Sequence, residues 1–337
     1  MTECEKCAES SRQDETPAEA ARQSGRGRQA SAPGEVPPLG WKDILWRTLK
    51  RVSQDNILSV AAGVTFYTLL AVFPGIAALI SLYGLFADAG TVSSHLSLLS
   101  GLLPRDAADI IGDQMSRLAS EKTTALGFSF FGGLGMALWS ASAGAKALFD
   151  ALNIVYDETE KRGFMRRAAL ALLFTLGGIA FVMLALGAIV VVPIVFDFLG
   201  LKSASGTLLA ILRWPLMLVV TALMLAVLYR YGPSRTKARW RWLSWGSGVA
   251  ALLWVGESLL FSWYVQNFAN YNKTYGSLGA AIGFMTWIWI STAVLLLGGE
   301  LNAEIEHQTA KDTTVGGGKP LGSRGAKMAD TIGKSSG

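Results

Sequence analysis

Charged residues are scarce in this sequence. Asp, Glu, Lys and Arg make up 16% of its 337 residues, whereas apolar residues make up 51%. A soluble globular protein carries about 25% charged residues, so long uncharged segments must account for the deficit. The composition therefore excludes an ordinary soluble domain and indicates a membrane protein. The net charge of +5 comes from Lys and Arg that flank apolar runs, which favours contact with anionic lipid over a nucleic-acid footprint.

Cysteine and histidine are also rare. The only cysteines, Cys4 and Cys7, lie in a polar tail without histidine, so we expect neither a disulfide framework nor a zinc site. The two histidines, His95 and His307, fall on opposite sides of the predicted membrane and cannot share a metal. We therefore predict no metal and no cofactor. The sequence also lacks a G-x-S-x-G elbow and a P-loop, so we expect no enzymatic activity.

Long apolar runs dominate the rest of the chain. A hydrocarbon core about 30 Å thick requires about 20 apolar helical residues. Six nearly uncharged runs of that length predict an all-α, polytopic membrane protein with six transmembrane helices, at about 58–86, 127–149, 168–199, 207–229, 242–265 and 277–299. The stretch 40–54 has an apolar stripe with basic residues elsewhere, which predicts an interfacial helix before the first span.

The loop charges predict the orientation of these spans. Cytoplasmic loops retain Lys and Arg, whereas short translocated loops do not. Basic residues cluster before the first span, between the second and third, and between the fourth and fifth. This alternation places both termini in the cytoplasm of the inner membrane. The tails at 1–38 and 307–337 are polar or rich in Gly, Lys and Ser, so we predict that they are disordered around a membrane domain at 39–306. No apolar signal segment precedes the first span, which we expect to act as the targeting signal.

Two ionisable residues lie inside predicted spans. Arg213 is in the fourth span and Glu257 is in the fifth, at similar depths below the outer surface. A charge in a membrane span costs about 2.5 to 3.5 kcal/mol on insertion scales, so such residues are functional candidates. The two side chains could line a substrate cavity, or they could form a pair that only locks adjacent helices.

Further candidates lie in the second span and in the outer turn before the sixth span. Trp139 and Ser140 occur among small residues that could line a cavity or let neighbouring helices approach. The outer turn combines amides and phenols that could bind a polar headgroup, but such residues are also common at membrane interfaces and in turns. Its candidates are Asn270, Tyr271, Asn272 and Tyr275.

A possible gate lies at the cytoplasmic ends of the helices. Lys146, Asp150 and Asn153 share a helical face near the end of the second span, and Glu300 directly follows the uncharged sixth span. The alternative is structural, with a solvated helix-end pair and a glutamate that engages basic loops.

Four segments carry a resemblance to a known family. They are LSVAAGVTFYTLLAVFPG at 58–75, ALWSASAGAKALFDALNIVY at 137–156, LYRYGP at 228–233 and FANYNKTYGSLGAAIGFMTWIWISTAVLLLGGELNAEIE at 268–306. With these segments the chain resembles the YihY/BrkB family of bacterial inner-membrane proteins, some of which were once labelled ribonuclease BN. The resemblance implies a six-helix fold, an association with envelope phenotypes, and a suspected role in moving lipids or other amphiphiles.

These observations favour a membrane transport function. We expect movement of a lipid or amphiphilic envelope molecule, with membrane lipids as partners and no nucleic acid. The alternative is a non-transporting structural or interaction protein that supports envelope integrity, and composition fits both equally well. A ribonuclease is disfavoured because the predicted loops are too short to hold RNA.

Overall fold

A computed structural model describes residues 17–84, 126–198, 202–268, 277–316 and 318–336. The described residues are mainly helical, and they form no strand beyond one isolated bridge between Ala238 and Thr314. The all-α class is therefore confirmed. The helices are α1 (Pro17–Ala20), α2 (Pro38–Gln54), α3 (Ile57–Gly84), α4 (Leu126–Val155), α5 (Phe164–Phe198), α6 (Lys202–Tyr231), α7 (Trp240–Phe268), α8 (Ser277–Glu306) and α9 (Lys327–Asp330).

Within the described residues, four helices are long and apolar enough to cross a membrane. Their candidate spans are Ile57–Ile76, Phe164–Met183, Trp240–Tyr264 and Ala281–Glu306. Only 11% to 28% of the residues in these spans are buried in the protein, which leaves most of their apolar side chains for lipid. The second and fourth predicted spans lie within α4 and α6. However, α4 is rich in Gly, Ala and Ser, and α6 contributes only a shorter apolar stretch, Pro215–Tyr231. Six spans and cytoplasmic termini thus stay predictions.

The chain divides into two compact units, each described here by itself. Unit one contains residues 1–65, 148–162 and 211–337, and unit two contains residues 66–147 and 163–210. In unit two, α3 and α4 approach closely at Gly144, where an added Cβ atom would lie 3.3 Å from the Cα atom of Thr68. A small residue is required at this position because the two helix backbones are nearly in contact.

The centre of unit one is the antiparallel pair of α7 and α8. The backbones are closest near Gly246 and Gly298, where a Cβ atom on Gly246 would collide with the carbonyl oxygen of Gly298 and with Asn302. The Asn302 side chain accepts a hydrogen bond from the Gly246 amide at 2.9 Å. The hydroxyl of Tyr229 on α6 donates to the carbonyl of Leu295 at 2.6 Å. Small residues and short hydrogen bonds thus fix three helices against one another.

Helix α2 packs against the last turns of α8. It buries Gly40, Asp43, Ile44, Arg47 and Thr48, whereas Leu45 and Leu49 are 52% and 71% exposed. The predicted helix at 40–54 therefore exists, but the face it buries in the protein carries an arginine. Its exposed leucines are left for the lipid interface.

Both tails make defined contacts where disorder was predicted. Arg28 is 2% exposed and donates to the carbonyl of Gly333 at 2.7 Å. Arg324 is 3% exposed and donates to four carbonyls between Ala310 and Ala329. Buried arginines thus satisfy the carbonyls of Gly-rich segments that have little apolar surface, and the disorder of the tails as a whole stays a prediction. We call the surface formed by residues 19–36, 156–162, 232–239, 307–316 and 318–336 the tail face.

Candidate functional site

A short chain of polar side chains joins α7 to α8 inside the candidate spans. The hydroxyl of Ser291 donates to Oε1 of Glu257 at 2.5 Å, and the Trp254 indole donates to the same hydroxyl at 3.1 Å. Glu257 and Trp254 lie three residues apart, so both project from α7 towards one position on α8. The helices thereby place a carboxylate, a hydroxyl and an indole together in a segment that is otherwise apolar.

A second contact repeats this chemistry one turn away. The indole of Trp287 on α8 donates to the hydroxyl of Ser258 on α7 at 3.1 Å. The rings of Trp254 and Trp287 are 6.1 Å apart and tilted by 55°, which is within the range of favourable aromatic pairs. Each helix therefore contributes one serine and one tryptophan. We call Trp254, Glu257, Ser258, Trp287 and Ser291 the polar seam.

The second oxygen of Glu257 distinguishes the polar seam from a simple helix contact. Oε2 is buried and has no hydrogen-bond partner within the part of the chain that the structure describes. A buried carboxylate oxygen without a donor is costly, so such a group is expected to receive a proton, a water or a ligand group. The seam can therefore accept one further donor.

Arg213, the predicted partner of Glu257, lies only partly within the residues that the structure describes. Arg213 lies in α6, but its side chain is outside the described residues. The outer-turn candidates Asn270, Tyr271, Asn272 and Tyr275 are outside them as well. The pairing of Arg213 with Glu257 and a headgroup site in the turn therefore stay predictions.

The candidates in the second span lie in unit two, on α4. Trp139 is 46% exposed, and the ammonium of Lys146 lies 4.2 Å from the centre of its indole ring. Ser140 is exposed beside it. The cation–π contact couples a cavity candidate to a gate candidate two turns away, which the sequence prediction treated as separate.

The remaining gate candidates have different surroundings. Asp150 is exposed, whereas Asn153 is buried. The Asn153 amide accepts from the Ser234 backbone at 2.7 Å and donates to Glu160 at 3.3 Å, so it joins two loops of the tail face. Burial alone would raise the pKa of Glu160, but hydrogen bonds from the side chain and backbone of Arg162 outweigh it and lower that pKa to about 2.

Glu300 is fully buried at the end of α8. Neither carboxylate oxygen has a hydrogen-bond partner within the described residues, although Asp55, Arg51 and Glu304 act on it electrostatically. Its neighbours on α8 are paired. Glu304 binds Arg47 at 2.5 Å, and Glu306 binds Arg235 at 2.5 Å. Glu304 and Glu306 thus pair with basic residues outside the spans, whereas for Glu300 both the gate and the engagement of basic loops stay predictions.

Sequence reasoning found Glu257 but missed the other four residues of the polar seam. Serine and tryptophan are ordinary in membrane spans, so composition gave no signal. Counting residues from the ends of the two helices would have provided such a signal. Glu257 is 17 residues from the start of α7 and Ser291 is 15 residues from the end of α8, which places them at matching depth in antiparallel helices.

The described residues contain no group of three or more His, Cys, Asp or Glu side chains placed to hold a metal ion. Two open cavities of about 380 and 610 Å³ lie on the tail face. The wall of the smaller has four basic residues and one acid, and that of the larger has two lysines and four acids, Asp55, Asp157, Glu158 and Asp330.

Comparison with known proteins gives a family match. A model of the family "Virulence factor BrkB" matches residues 48–319. Among similar proteins, the ribonuclease-like protein YfkH of Bacillus subtilis is 29% identical over 73% of this chain and 88% of its own length. A UPF0761 membrane protein of Chromobacterium violaceum is 26% identical over 77% of this chain, which spans 60% of that relative. A UPF0761 membrane protein of Haemophilus influenzae is 22% identical over 77% of this chain and 93% of its own length. No solved structure matches the chain.

Proposed function

Because the chain belongs to the virulence factor BrkB family and is a multi-pass inner-membrane protein, we propose that it moves a lipid or amphiphilic envelope molecule between leaflets. The proposal includes six spans, at the ranges predicted from the sequence, with both termini and the tail face in the cytoplasm. It assigns no catalytic step to the chain and no role for nucleic acid. RNA cleavage, which the ribonuclease-like name of the Bacillus subtilis relative suggests, has no part in this proposal.

The polar seam is the observation that carries this proposal. An amphiphile that crosses a bilayer needs polar groups to replace water around its headgroup. Glu257 offers a buried oxygen with no described donor, and its other oxygen is held in place by Ser291. The neighbouring Leu259 and Leu260 are 49% and 68% exposed, so apolar chains have access to the same helix. The seam thus combines a fixed acceptor with an adjacent apolar surface.

A structural or interaction protein is the second candidate function, and one observation favours it. Glu257 and Trp254 on α7 both bind the hydroxyl of Ser291 on α8, so the seam joins two helices through side chains alone. In that case the carboxylate serves to fix α7 against α8 and does not meet a substrate. Transport rate and thermal stability distinguish the two functions. If Glu257 meets a substrate, removal of its charge lowers the transport rate. If Glu257 only fixes α7 against α8, the same change lowers the melting temperature.

The test uses purified full-length chain in liposomes with fluorescent lipids of several headgroup classes. We expect lipid to change leaflets faster than in protein-free vesicles, and we expect Glu257→Gln to slow it about tenfold at an unchanged melting temperature. Leu252→Ala, at a 59% exposed position of the same helix on the side away from the seam, is the matched control and should keep the wild-type rate. Rates equal to protein-free vesicles for every lipid would reject transport. A normal rate with a lowered melting temperature in Glu257→Gln would assign the seam to structure.

A further inference from the structure

The smaller cavity of the tail face is lined by residues from three separate parts of the chain, and two of these parts supply basic side chains. The N-terminal tail contributes Ser31, the segment at the start of α7 contributes Arg239 and Arg241, and the C-terminal tail contributes Lys311 and Lys319. Asp312 is the one acid among the residues of its wall. Four cations therefore surround a cleft of about 380 Å³, which we call the basic cleft.

Asp312, the one carboxylate in the wall of the basic cleft, is hydrogen-bonded to residues of its own loop. Asp312 accepts hydrogen bonds from the backbone and hydroxyl of Thr314 at 2.9 and 2.7 Å and from the Lys319 amide at 3.1 Å. Burial alone would raise its pKa, but these hydrogen bonds and the charge of Arg324 lower it. Asp312 therefore has a structural role in the wall of the cleft. One carboxylate does not neutralise the charge of the four cations, so the cleft stays positively charged.

The cations are held in place by the fold. Backbone hydrogen bonds join Arg239 to Thr313 at 2.9 Å and Val315 to Lys237 at 2.9 Å, and the Arg239 side chain donates to the Thr314 carbonyl at 3.0 Å. These contacts fix the C-terminal tail beside the start of α7. In the described part of the chain, Arg241 and Lys319 form no ion pair. Lys311 is in no ion pair there either, and all three residues are exposed, so three of the four cations are available to a ligand.

The position of the basic cleft relative to lipid follows from Trp240. Arg239 and Arg241 flank this residue, which begins both α7 and its candidate span. Trp240 is 48% exposed, and the guanidinium of Arg230 lies 4.5 Å from its ring centre. Exposed tryptophans at the end of an apolar helix mark the level of the lipid headgroups. The cleft therefore opens at headgroup depth.

The helix end adds to the attraction for an anion. The first turn of α7 contains no acidic residue, so the positive end of its dipole has no compensating side chain nearby. Together with four cations, this makes the basic cleft electrostatically complementary to a phosphate.

We propose that the basic cleft binds the headgroup phosphate of an anionic phospholipid. Free phosphate has the same chemistry, but a lipid is favoured because the cleft adjoins exposed Trp240 and the apolar surface of α7. Binding at this site is independent of transport, and it would hold equally for a structural protein. Each cation near an anionic lipid contributes about fivefold in affinity.

Native mass spectrometry of the detergent-solubilised full chain tests this proposal by measuring affinity for added phosphatidylglycerol and for phosphatidylcholine. The variant replaces three exposed cations, as Arg241→Gln, Lys311→Gln and Lys319→Gln. The matched control replaces three exposed cations outside the cleft, as Lys42→Gln, Arg166→Gln and Lys334→Gln. Circular dichroism of both variants checks that they fold. Arg239 is left intact because its side chain supports the loop.

We expect the cleft variant to bind phosphatidylglycerol at least about tenfold more weakly than the wild type, because three cations are lost. The control should change less than about twofold, and phosphatidylcholine should bind weakly to all three proteins. Equal phosphatidylglycerol affinity in wild type and cleft variant would overturn the proposal, as would equal losses in both variants. Inorganic phosphate that displaces the lipid at comparable concentration would overturn the assignment to a phospholipid.

Discussion

Arg47 and Glu304 meet at 2.5 Å in the interior of unit one, although 257 positions separate them in the sequence. Their side chains are 7% and 1% exposed. Arg47 also donates to the side chain of Gln308 at 2.6 Å and to the carbonyl of Lys334 at 2.8 Å. Arg47 on α2 therefore joins the end of α8 to the C-terminal tail.

Loss of one partner of this pair should destabilise the protein strongly. We expect Glu304→Gln to cost about 3 to 5 kcal/mol, because it leaves the charge of Arg47 buried without its partner. The free energy of unfolding in mixed micelles measures this cost, and Lys50→Gln on the exposed face of α2 is the control. A variant as stable as the control would show that the pair contributes little.

The close approach of α7 and α8 predicts a strict size limit at Gly246. Gly246→Val should destabilise the helix pair by about 1 to 3 kcal/mol, because the new side chain would overlap α8. Gly248 is the matched control, since nothing lies within 4 Å of an added Cβ atom there. Gly248→Ala should be neutral or stabilising. Equal melting temperatures for Gly246→Val and wild type would contradict the close packing.

The ion pair of Glu160 and Arg162 predicts an acid-sensitive loop. The Glu160 pKa is lowered from 4.5 to about 2, so its contribution to stability is complete above about pH 4.5 and is lost as the pH falls towards 2. We expect Glu160→Gln to have a lower melting temperature than wild type at pH 7, with the difference shrinking between pH 4.5 and 2. A difference that does not depend on pH over this range would exclude the ionised carboxylate as the cause.

The buried arginine of the N-terminal tail should protect the C-terminal tail from proteolysis. Arg28 donates to the carbonyls of Gly333 and Gln308, so Arg28→Ala should speed tryptic cleavage at Lys327 and Lys334. Limited trypsin digestion followed by mass spectrometry measures the rates. Arg22→Ala, at an exposed position of the same tail, should leave them unchanged, and equal rates in both variants would argue against the contact.

The helices could be predicted from the sequence because membrane insertion depends on local composition. The predicted run 242–265 lies inside Trp240–Phe268, and the run 277–299 begins with α8 at Ser277. An apolar run of 18 residues needs no distant partner to form a helix in lipid.

The tails and the polar seam could not be predicted in this way, because they depend on contacts between distant residues. Arg28 and Gly333 are 305 positions apart, and Ser291 and Glu257 are 34 apart. Composition describes the tails as polar and Gly-rich, which fits disorder as well as it fits a segment held by two buried arginines. Hydropathy likewise treats Ser291 as a weakly polar residue of an apolar helix.

The contact of Arg28 with the C-terminal tail has a consequence for biosynthesis. The arginine is synthesised 280 positions before its acceptor at Gln308 and 305 positions before its acceptor at Gly333. This contact therefore forms only after α8 has been translated. A product that stops before Gln308 lacks both carbonyl acceptors, so the contact between the two tails reports that α8 has been completed.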